Sequence, residues 1–198
     1  MKKLFLLLFA LSIVGFAQTQ NPPAGPAAAQ APSSSAPQSV STVLDRRWSG
    51  VEKQFTDLAD AMPEDKYSFV PTAGDFKTVR NFGEQVRHVA AGNYEYGAAI
   101  LGEKPPVDPG GESGPENLKT KAEIMKFLRD SFAYVHRAMN SITEANLVTP
   151  IKPPFGNAPA TRLAVASGVM THVYDHYGQL VVYLRMNSII PPASRPRR

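Results

Sequence analysis

The sequence predicts an all-α protein: a four-helix bundle with long Pro/Gly-rich loops. Three observations support this. Four segments of about twenty residues place apolar side chains at three-to-four spacing, the period of a helix with one buried face. Between them lie stretches dense in proline and glycine. No stretch alternates convincingly as a strand, and no internal repeat is present. Four helices of this length bury their stripes best against one another.

The first helix is expected from about Thr42 to Ala61, with Leu44, Trp48, Val51, Phe55, Leu58 and Met62 on its inner face. Thr42 and Asp45 resemble a capping pair, and Pro63 ends the helix. The segment PEDKYSFVPTAGDFKTVR, with prolines bracketing aromatics, is expected to wrap across the bundle. The second helix opens at Asn81, with Glu84 as capping box, and closes at Gly102. Its stripe is Phe82, Val86, Val89, Asn93 and Ile100, and His88 flanks it. Residues 102–118 form a long loop of the kind that is often functional. The third helix starts near Thr120, with Glu123 completing a capping box, and runs to about Thr143. Its stripe is Ile124, Phe127, Leu128, Val135, Met139 and Ile142. A second Pro-rich loop, NLVTPIKPPFGNAPA, leads to the fourth helix, from Thr161 to about Asn187. Leu163, Ala166, Val169, Val173, Leu180 and Leu184 form that helix's stripe. The long loops leave room for a crossover rather than a simple up-down order.

The ends read differently. Residues 1–17, MKKLFLLLFALSIVGFA, have the layout of a secretory signal peptide: Lys2 and Lys3, an apolar run, then Gly15-Phe16-Ala17 as a cleavage site. Cleavage after Ala17 is expected, leaving no stable membrane insertion. Residues 18–41 are rich in Pro, Ala, Ser and Gln and read as a disordered linker. The bundle is expected over 42–192, with a basic tail at 193–198. The chain has no cysteine, so an exported product, periplasmic or extracellular, rests on its core and possibly a metal rather than on disulfides. The formal charge of +4 falls to +2 when Lys2 and Lys3 leave, and Arg195, Arg197 and Arg198 lie in the tail. No basic face interleaved with aromatics is present, which argues against nucleic acid as a partner.

The chain has four histidines. His172 and His176, in MTHVYDHYGQLVVYLR, lie four apart, so their rings project from one helix face about 6 Å apart. They continue the interior row 165, 169, 172, 176, 180. A lone pair at this spacing is a weak metal signal, and ordinary partly buried histidines share it. His88 is the candidate third ligand from the second helix, whereas His136, among Arg129, Asn140 and Thr143, is expected to face solvent. Three imidazoles leave coordination positions open, the layout of a reactive rather than a closed structural site. Imidazole suits zinc, nickel, iron or copper. Each ligand ring needs a partner for its other nitrogen, with Tyr174, Asp175, Asn93 and Glu95 in reach. Tyr94, Tyr174 and Glu95 are further candidates for a pocket.

Three stretches resemble the DinB-like superfamily of metal-binding helical bundles. PEDKYSFVPTAGDFKTVRNFGEQVRHVA is similar to the family's approach to its first histidine ligand. HVYDHYGQL is similar to its H-x-x-x-H signature followed by Arg-Gly-Gln-Leu, with Tyr177 in place of the arginine. YLRMNSIIPP is similar to its end of helix four. The resemblance implies His88, His172 and His176 as ligands of a divalent metal, zinc first, with nickel or iron as alternatives. It makes Gly178 the small residue of a close helix contact and implies a homodimer. It further implies a metal-dependent transferase or hydrolase, such as a thiol transferase, acting on a small molecule. The alternative is a metal- or ligand-binding module without turnover.

Overall fold

The computed structural model describes residues 37–196, so the expected signal peptide, most of the linker and the last two arginines lie outside the described residues. Four helices build the domain: α1 (Val40–Ala61), α2 (Phe82–Leu101), α3 (Lys121–Asn140) and α4 (Arg162–Met186). Each of α1 and α2 packs on both α3 and α4, so the order around the bundle is α1, α3, α2, α4. The connections 62–81 and 141–161 therefore cross the bundle diagonally, while 102–120 joins neighbours. The expected crossover is present twice.

Local chemistry sets the helix ends. Asn81 caps α2 and Thr120 caps α3, each with the reciprocal glutamate of a capping box, Glu84 and Glu123. Gly102, at φ 72°, closes α2 in the left-handed conformation. The start of α1 differs from expectation. Ser39, not Thr42, is the cap, accepting from the Thr42 backbone N–H. Asp45 is drawn away to α3, as described below.

The main core cluster draws on the predicted stripes, with Trp48, Phe55, Phe82 and Leu128 fully enclosed, and on Phe132, which the predicted stripe of α3 did not include. Trp48 stacks tilted on Phe132 at 4.9 Å and donates its indole N–H to the Phe132 carbonyl at 3.1 Å. Such a pair is worth about 0.5–1.5 kcal/mol beyond its area. The wrapping segment 62–81 is pinned at the start of α2. Gly83 N–H donates to the Tyr67 carbonyl at 2.8 Å, and Tyr67 meets the Phe82 ring edge-on at 5.2 Å. One element was not expected: the loop after α3 forms a two-residue antiparallel ribbon, β1 (Pro150–Ile151) with β2 (Ala160–Thr161). Both strands are too short for an alternation to show in the sequence.

His136 also departs from expectation. It does not simply face solvent. Its Nδ1 lies 2.6 Å from Asp45 Oδ1 and its Nε2 2.9 Å from Glu52 Oε2, both on α1. Asn140 Nδ2 donates to the same Asp45 oxygen at 2.8 Å. Burial alone would lower the His136 pKa, but the hydrogen bonds and charges of Asp45 and Glu52 outweigh it and raise it above the ordinary 6.5. The bridge therefore favours protonated His136, and its contribution is fully present below the unfolded pKa and lost as pH rises through the folded one. His136→Ala is expected to lower the melting temperature by a few degrees near pH 6, equivalent to about 1 kcal/mol. The deficit shrinks as pH rises through the raised folded-state pKa, which thermal melts of both proteins across pH would show.

Candidate metal centre

His88 on α2 and His172 and His176 on α4 converge. One ligand atom from each lies within 4.8 Å of the other two. The Nε2 atoms of His172 and His88 are 3.1 Å apart. Two nitrogens at about 2.0–2.1 Å from one tetrahedral zinc ion would be about 3.3 Å apart, so this pair already has nearly the spacing of two ligands. His136, bridged to α1, takes no part.

What brings His172 onto α2 is a glycine. A Cβ on Gly92 would lie 2.7 Å from His172 Cε1 and 3.2 Å from its Nδ1, so only a hydrogen there lets the ring rest on the α2 backbone. Gly178, the residue expected to serve close contact, has open space around it. The contact that matters is one turn beyond His88 on the opposite helix.

Two rings have their protons assigned by neighbours. His88 Nδ1 is hydrogen-bonded to the Glu112 carbonyl, which can only accept, so this nitrogen donates and Nε2 presents its lone pair inward. His176 Nδ1 lies 2.6 Å from Gln85 Oε1. Gln85 Nε2 donates to Gln179 Oε1 at 2.9 Å, and Gln179 Nε2 donates to Asp175 Oδ2 at 2.9 Å. The carboxylate at the end of this chain can only accept. It therefore turns the Gln179 amide, which turns the Gln85 amide, which requires a proton on His176 Nδ1 and frees Nε2. The Nδ1 of His172, covered by Gly92, is buried with no hydrogen-bond partner. An orphaned buried group of this kind costs about 1–3 kcal/mol.

Burial lowers the pKa of all three rings. For His172 it is lowered to about 4 and for His176 to about 3, with the neighbouring imidazoles adding to the effect of burial. The rings are therefore neutral at ordinary pH, the state in which imidazole donates to a metal. The donor set, its spacing and the tautomers of His88 and His176 fit a divalent cation.

The partners expected from sequence were largely elsewhere. Asn93 donates to Ser131 Oγ at 3.0 Å in the core. Tyr174 is exposed and accepts from Gln54 of α1 at 3.2 Å. Tyr94 packs between Phe127 and Tyr134 on the far side of α2. Asp175 does serve the site, but through two glutamines. Glu112 could not be read from sequence because it acts through its backbone. Gln85, three residues before His88 and so on the same helical face, had a positional signal that a search for acids and tyrosines passes over.

A cavity of about 590 Å³ opens beside His88 and His172. Its wall is formed by Gly92, Glu95 and Tyr96 of α2, by Phe155, and by residues 109–112 of the long loop. The loop is held by Arg80, whose Nε donates to Ser113 Oγ at 3.2 Å and whose guanidinium pairs with Glu112 at 3.2 Å. Gly114, at φ 74°, lies against the α2 backbone, where a Cβ would be 2.8 Å from the Arg87 carbonyl oxygen.

The family model described as the DinB superfamily matches residues 47–180. The chain belongs to the DinB superfamily. No curated protein matches it. Among solved structures, a DinB-like protein from Bacillus cereus aligns with a TM-score of 0.62 at 15% identity, covering 78% of this chain and 97% of the other. The DinB-like protein YjoA from Bacillus subtilis aligns with a TM-score of 0.59 at 21% identity, covering 79% and 99%. At these identities the likeness is one of fold, and this DinB-like chain's site stands on its own geometry.

Two substitutions test that geometry. Gly92→Ala is expected to push His172 aside, costing about 1–3 kcal/mol of stability, and to weaken metal binding at least tenfold in calorimetric titration. Gln85→Leu, which removes the acceptor for His176, is expected to cost about 10–100-fold in metal affinity and, by leaving the buried His176 Nδ1–H unpaired, about 1–3 kcal/mol of stability in the metal-free protein.

Proposed function

We propose that this chain is an exported metalloprotein holding a divalent ion through His88, His172 and His176, and that it acts as a metal-dependent transferase or hydrolase on a small molecule. The observation that carries the reading is the convergence of three neutral imidazoles, two with preset tautomers, beside a cavity large enough for a substrate. Three protein donors leave coordination positions for substrate or water. Zinc is the first choice, with nickel or iron as alternatives.

A divalent ion held there would supply Lewis-acid chemistry at its open positions. The chain supplies the rest. Glu112 and Gln85 keep two rings aimed, and Gly92 seats the third. The apolar wall limits water, and Glu95 offers a carboxylate within the cavity. The chain has no cysteine, and among the described residues the cavity lining includes no serine or threonine. Export is supported by the signal-like first seventeen residues. A homodimer remains part of the proposal on family likeness.

The deciding measurement is metal content of protein purified without chelators or a histidine tag. One ion per chain is expected in the wild type, with at least a tenfold loss in each of His88→Ala, His172→Ala and His176→Ala. Metal content unchanged in these variants overturns the site. Turnover of thiol-plus-electrophile or hydrolysable substrates that vanishes on metal removal separates an enzyme from a binding module. Export predicts a mature N-terminus at Gln18, read by mass spectrometry of the secreted protein.

A further inference from the structure

The cavity beside the three histidines has two acidic residues in its lining, and a cation, Arg80, pairs with one of them. Among the described residues its lining includes two glutamates, Glu95 and Glu112, and no lysine or arginine. Glu112 is spoken for: its side chain is 88% exposed and pairs with Arg80. Glu95 is half-buried and enters no ion pair among the described residues. Lys104 and Lys152 line the adjoining cavity that Glu95 also borders, but both are exposed and neither pairs with it. An unpaired carboxylate in an apolar recess favours a cation there.

The aromatic groups are placed to hold the body of such a ligand. Tyr96 follows Glu95 on α2, 5.8 Å from the His172 ring and edge-on to Phe155 at 5.5 Å. Phe155 is 58% exposed and borders the cavity, so its ring is free to take an apolar partner. Glu95 lies two turns of α2 from His88, about 10 Å along the helix axis. A metal's positive charge at the histidines and a ligand's positive charge at Glu95 would thus sit at opposite ends of the cavity.

We propose that this cavity binds a small organic cation of the arylalkylammonium class, its ammonium on the Glu95 carboxylate and its ring against Tyr96 and Phe155. This names the substrate class for the metal centre and rests on reading the cavity as its substrate side.

The test uses three probes with one body and different heads: 2-phenylethylamine, 2-phenylethanol and phenylacetate. Binding is measured by calorimetry on the full mature chain, metal-loaded and chelator-treated, with metal content determined on the same samples. The amine is expected to bind about tenfold or more tighter than the alcohol, and the carboxylate weakest. Glu95→Gln, which keeps the side-chain shape, is expected to bring the amine down to the alcohol while metal content stays unchanged. Phe155→Ala is expected to weaken all three probes by a similar factor. An amine preference missing in the wild type, or retained in Glu95→Gln, overturns the proposal, as does a preference for phenylacetate. Bound metal without the amine preference sinks this proposal and leaves the metal reading intact. A protein without metal sinks the metal reading, and the amine preference then decides the cation site on its own.

Discussion

The site depends on one close approach, the contact of His172 with the backbone of α2 at Gly92. Helices with ordinary side chains at their contact pack about 8–10 Å apart. A glycine at the contact removes the Cβ that would meet the ring, so an imidazole from α4 reaches the nitrogen of His88 on α2. Remove that allowance and the two helices still pack through Val86, Val89, Val169 and Val173, all buried. They would pack as an ordinary bundle with histidines that do not meet. The candidate metal centre is in this sense a local exception within a regular core, and its cost is visible in the unpartnered Nδ1 of His172.

Around that contact, the structure fixes protons as carefully as positions. A ring that faces a metal must present a lone pair, and a ring hydrogen-bonded the wrong way presents a proton instead. His88 and His176 solve this by different means. His88 uses a main-chain carbonyl from a loop, so the requirement falls on loop conformation rather than on side-chain identity. His176 uses two amides and a carboxylate, so the requirement passes from the surface at Asp175 inward to the ring. Each amide could in principle be turned round, and it is the terminal carboxylate that makes one orientation consistent.

Much of this was legible in the sequence, and the reasons are physical. The helices declared themselves through stripes such as Phe82, Val86 and Val89, and their ends through Asn81 with Glu84 and Thr120 with Glu123, because capping chemistry is local. The same-face pair His172 and His176 followed from helical spacing. What was not legible lay between elements. The role of Gly92 depends on which residue of α4 passes over it. The Glu112 carbonyl carries no side-chain signature. His136 has polar helical neighbours and looked solvent-facing, but its partners Asp45 and Glu52 come from a helix some ninety residues earlier. Periodicity describes one helix at a time, and these are facts about pairs.

The segment around residues 109–112 belongs to two structures at once. Its outer side walls the cavity, and its Glu112 carbonyl grips His88. A molecule lodged against this wall would touch the strap that aims a candidate metal ligand. A ligand that tightened or shifted that strap would change the affinity for an ion at the histidines, and by thermodynamic reciprocity the ion would change the affinity for the ligand by the same factor. Occupancy of the two places would then be a single linked equilibrium, in which the free protein, the half-filled forms and the full complex need not be related by independent binding constants.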